Sequence, residues 1–70
     1  MSKVQQLKNK LAKAIADSEY RSVKIMGVLC SRADMEIAVD YCDRYLANGN
    51  LDGVMPPSGN VKALFEKIKL

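Results

Sequence analysis

The chain predicts an all-α protein: a small bundle of three to four helices, at about 3–17, 19–30, 32–47 and 60–69, completed by homo-oligomerisation. Three observations predict it. Apolar residues recur at helical spacing near both ends of the chain, capping residues stand where helices should start or stop, and 49% of only 70 residues are hydrophobic. Seventy residues make a single domain, 1–70. A chain of this size buries only about 60% of its unfolded surface. Apolar content beyond one small core therefore points to a second copy or a partner. With one Phe and no Trp, that core must be built from Leu, Ile, Val, Met and Ala.

The first helix opens on Ser2-Lys3-Val4-Gln5, a capping-box pattern in which the Ser hydroxyl accepts from the third amide. Val4, Leu7, Leu11, Ala14 and Ile15 then follow the i, i+3, i+4 rule, and the lysines lie off that stripe. Residues 19–30 (EYRSVKIMGVLC) are ambiguous. Val23, Ile25 and Val28 favour a strand. A strand apolar on both faces needs two partner strands, and no other segment offers them, so the expectation is a buried helix with Gly27 in its interior.

Ser31 caps the next helix, and Asp34 places an acid in its first turn. Asn48-Gly49 stops it. Its apolar residues cover about 200° of arc, twice the stripe of a surface helix. One side satisfies the chain itself. The other, through Met35, Val39 and Leu46, joins Ile25, Val28 and Leu29 as the expected self-interface. The last helix, capped by Asn60 or Ser58, carries Val61, Leu64, Phe65 and Ile68 as one stripe.

The connection at 48–59 is rich in Gly, Pro and Asn and longer than the usual helix–helix linker of about 2–8 residues. Leu51, Asp52, Val54, Met55 and Pro56 are the candidate partner-binding residues there, although apolar loop residues in small domains more often close the core. Residues 48–53 imitate the first half of a calcium loop, but position 12 is Gly59 rather than Glu, so no metal is expected.

Catalysis is not expected. There is no histidine, which removes the commonest general base and metal ligand. The glycines match no phosphate cradle, and no cofactor is expected. Cys30 and Cys42 fall on apolar arcs as inert thiols, about 15 Å apart along the helical reading. Unpaired thiols, with no signal-peptide core and no membrane-length apolar run, place the chain in the cytoplasm.

Charge is uneven within a net +3 and a pI of about 9.0. Glu36, Asp40 and Asp43 share an acidic face, a second candidate partner surface, where Arg32 and Arg44 stand four residues from Glu36 and Asp40. Lys3, Lys10, Lys13, Lys62 and Lys69 could touch phosphates instead, though without aromatic interleaving. The reading is a non-enzymatic, homo-oligomeric (dimeric) regulator of another protein, an adaptor or inhibitor. Nucleic-acid binding through the lysines is the alternative, and a nucleotide-type small-ligand sponge a weaker one.

Overall fold

The computed structural model describes residues 2–18, 21–50 and 59–68. The order is α1 (Lys3–Ser18), β1 (Val23–Ile25), β2 (Val28–Cys30), α2 (Arg32–Asn48) and α3 (Gly59–Lys67). The molecule is mostly helical, with one small two-stranded sheet. It measures 31 × 24 × 17 Å. α1 and α2 pack along each other, α3 lies on β2 and α2, and β1 lies against α1.

α1 forms where its apolar stripe requires it. Val4, Leu7 and Leu11 are buried, and Ala14 and Ile15 pack at the edge of the core. The Ser2 hydroxyl accepts from the Gln5 amide at 3.1 Å, which satisfies one of the four orphan amides of the first turn.

The helix expected at 19–30 is a β-hairpin in its described part. Val23, Lys24 and Ile25 pair antiparallel with Cys30, Leu29 and Val28. Burial alternates with period two along both strands: Ile25 and Cys30 point inward, Lys24 and Leu29 outward. The physical reason is the turn. Met26 and Gly27 both sit at positive φ, 50° and 83°, as a two-residue type I′ hairpin turn demands. Gly27 belongs to a tight turn and not to a helix interior. The two strands partner each other, so no third segment is needed, and helices cover their inner face.

α2 carries a complete capping box. The Asp34 amide donates to Ser31 Oγ at 3.2 Å, and the Ser31 amide donates to Asp34 Oδ2 at 3.1 Å. Gly49 ends it in the left-handed conformation, its amide donating to the Tyr45 carbonyl at 2.7 Å. Asp34 has a second task. Asn60 Nδ2 donates to the same Oδ2 at 3.2 Å and so ties the start of α3 to the start of α2. The Ser31 backbone amide foremost, and then Asn60, hold the Asp34 carboxyl below the usual carboxylate range. Asn60, expected as a cap, instead lies within α3 and turns its side chain to Asp34, and Ser58, the other expected cap, lies outside the described residues.

The core is continuous across all elements. Leu7, Leu11, Met35, Ala38, Cys42 and Leu64 are essentially sealed, and Tyr41 meets Phe65 edge to face with ring centroids 5.9 Å apart. Among the described residues no polar or charged side chain is buried.

Candidate functional site

The expected sites fare differently once placed. The loop candidates Leu51, Asp52, Val54, Met55 and Pro56 lie outside the described residues. The expected self-interface is split. Ile25 and Met35 are buried in the chain's own core, which is a correction: once the hairpin folds over α2, these side chains have no outer surface to offer. Val28 and Val39 are half-buried against the same core. Leu29 and Leu46 remain exposed, at 54% and 40%, as does Ile37. Leu29 stands on the outer face of the hairpin and Leu46 near the end of α2.

The acidic residues of α2 are exposed and paired. Arg32 Nε lies 3.3 Å from Glu36 Oε1, and Arg44 Nε 3.0 Å from Asp40 Oδ2. Asp43 pairs with Lys8 of α1, a cross-helix contact that reading α2 alone could not supply. Exposed pairs of this kind stabilise by about 0–1 kcal/mol each. They also leave the acidic face with little unanswered charge.

The lysines are arranged otherwise. A hollow of about 460 Å³ runs between the second half of α1 and the hairpin. Its floor is Ala14, Val23, Ile25 and Met26, and its rim is Lys10, Lys13 and Lys24, with Asp17 at the end. A second hollow, of about 220 Å³, lies between the first half of α1 and the end of α3. Leu7, Met26 and Ile68 line it, with Lys3, Lys10 and Lys67 around it. Lys10 and Met26 belong to both, so the two hollows meet there. Among the described residues, none of Lys3, Lys10, Lys13, Lys24 and Lys67 is in an ion pair.

Three of these lysines were visible as candidates in the sequence, and two were not. Lys24 was hidden by the helical reading of its segment, although the period-two alternation around it was the available signal. Lys67 reaches the trough only because α3 folds back on the hairpin. Of the other candidates, Lys62 is exposed on α3 and lines neither hollow, and Lys69 lies outside the described residues.

Neither the protein-family models, the curated proteins nor the solved structures give a significant match to this chain. The functional reading therefore rests on its own residues.

Cys30 and Cys42 are free and buried. Cys30 Sγ donates to the Val28 carbonyl at 3.5 Å. Burial first, and then the charge of Asp34, pushes its thiol up. Cys42 is pushed from the ordinary 9.0 to about 11, chiefly by burial, then by Asp43, with Lys8 opposing. Thiolates are the reactive form, so both sulfurs are chemically quiet. The fold holds the neutral Cys42 thiol, so that stabilisation is fully present below the unfolded value of 9.0 and is lost as pH rises through about 11. The expected result is a urea midpoint that falls across this alkaline window, with a shallower fall for Cys42→Ala. Equal slopes for the two proteins would show that the thiol carries none of it. Among the described residues no three metal-ligating side chains cluster, and no helix is long and apolar enough to cross a membrane.

Proposed function

We propose that this chain is a small, non-enzymatic binding protein, a stoichiometric regulator of another protein, and that it engages its partner on the lysine-framed trough. One observation carries this reading: a cluster of lysines without ion pairs surrounds an apolar floor. Charges used for stability tend to be answered within the fold, as Lys8 is by Asp43. Lysines used for nothing internal, beside partly exposed apolar residues, are what a surface for an acidic partner needs. The acidic face of α2 is the weaker candidate, since Glu36, Asp40 and Asp43 are already paired. Among the described residues, the large apolar side chains exposed to a second copy are Leu29, Leu46 and Ile37. The two free thiols suit a reducing compartment such as the cytoplasm.

Nucleic-acid binding is the second reading, favoured by the same gathering of lysines. It predicts a steep loss of affinity with salt, because each phosphate contact releases counterions.

The test is affinity purification from native lysate at low salt, with the wild type beside Lys10→Glu/Lys24→Glu. A protein recovered near one-to-one with the wild type and lost with the variant is the expected result. Salt-labile nucleic acid without a protein partner, or equal recovery by both forms, would overturn it.

A further inference from the structure

We propose that the occupant of the trough is an acidic amphipathic helix of a partner protein, and that Met26 is the central anchor on which its apolar face rests. This rests on the reading of the trough as a protein-binding site and specifies its ligand.

The shape comes first. α1 forms one bank of both hollows, from Lys3 to Asp17. At 1.5 Å per residue that bank is roughly 21 Å long, the length of a helix of about 14 residues. The hairpin and the end of α3 form the other bank. An apolar floor along a helical bank of that length is the geometry in which amphipathic helices dock.

Charge comes second. Lys3, Lys10 and Lys13 stand on the α1 bank, with Lys24 and Lys67 across from them. An apolar helix face flanked on both sides by Glu or Asp meets both rims at once. A nucleic-acid backbone would use the lysines but leave the half-buried Ala14, Val23 and Met26 without a partner. Among the described residues neither arginine nor an aromatic side chain lines either hollow, so base stacking has no provider there.

Met26 comes third. A type I′ turn strongly prefers Asn, Asp or Gly at its first central position, because that residue adopts positive φ. This chain places Met there at φ 50°. Met26 lines both hollows, half-buried and packed at the edge of the core. Methionine is flexible and polarizable and recurs where one surface must fit helices of varied shape. A residue unfavourable for the turn and placed at the middle of the trough fits a contact role.

The experiment uses the full chain and four synthetic probes. The first is a 14-residue helical peptide with Leu on one face and Glu on the flanks. The second is a scramble of it, the third the same peptide with Leu replaced by Ser, and the fourth a duplex DNA oligonucleotide. Affinity is read by fluorescence anisotropy, and folding of each variant by circular dichroism. The amphipathic peptide is expected to bind about tenfold or more tightly than the scramble or the Ser peptide. Lys10→Glu/Lys24→Glu and the charge-neutral Met26→Asn are each expected to lose about tenfold. Met26→Asn loses one half-buried contact at the edge of the core but should stay folded, since Asn tolerates the left-handed turn.

Equal binding of the Ser peptide would overturn the apolar docking, and it does so in the wild-type protein, independent of any variant's folding. Tighter binding of the duplex than of the peptide would overturn it in favour of nucleic acid. If no peptide binds while the wild type still recovers a protein that the double variant loses, the helical occupant fails and the binding face stands. If recovery is equal for both forms, the face itself fails.

Discussion

Replacing Phe65 with Ala is expected to destabilise the protein by about 3–5 kcal/mol. A domain of this length has roughly 4–10 kcal/mol in all, so the variant should be largely unfolded at modest urea. Phe65 is 5% exposed and lies edge to face on Tyr41. The loss combines the cavity with the ring pair, which adds about 0.5–1.5 kcal/mol. α3 has nine residues, too few to persist as a free helix in water. Its existence depends on Val61, Leu64, Phe65 and Ile68 being docked. Urea titration followed by circular dichroism measures this. A loss below about 1 kcal/mol would mean that α3 is not held by its aromatic contact.

Leu11→Ala is expected to cost about 3–4 kcal/mol, because Leu11 is fully buried beneath α1 and a Leu-to-Ala cavity there has no solvent to relax into. Leu29→Ala makes the contrast. It removes the same atoms from a side chain that is 54% exposed and should move stability by no more than about 0.5 kcal/mol. The pair tests the hairpin directly. In a buried helix over 19–30 the two leucines would be comparably costly to truncate. In the hairpin Leu29 faces outward beside Lys24. Equal losses in the same urea titration would restore the helical arrangement.

The helices were legible because each carries a local signal, an apolar stripe, a set of caps, or both. α1 has its stripe and Ser2, α2 has Ser31, Asp34 and Gly49, and α3 has its Val61-to-Ile68 stripe. Periodicity and capping agree at α1 and α2, and agreement across levels is what makes a local reading dependable. The hairpin was not legible for equally definite reasons. Leu29 occupies an outward position, so the segment looked apolar on both faces, as a buried element would. Met26 hid the turn, since Asn or Gly before Gly27 would have announced it. The trough followed the hairpin into obscurity. Three of its lysines sit on α1 and could be picked out as basic, but their apolar floor and the opposite bank exist only after chain reversal at Gly27 and again before α3. The acidic face of α2 was the opposite case. Its i, i+4 pairs are local, so helical spacing alone foretold them.

The tie between Asn60 and Asp34 gives α3 an attachment beyond its apolar stripe. α3 also carries Lys67 and leads into Ile68, the far bank of the smaller hollow. The width of that hollow therefore depends on how firmly α3 stays docked on β2 and α2. Short segments at the edge of a fold exchange their amide protons through partial openings at lower free energy than the body of a domain. A molecule bridging α1 and α3 would draw on that same equilibrium: it would be held more weakly by a chain whose α3 is loose, and it would in turn slow the opening. Binding there and the opening of α3 would then be two readings of one free energy.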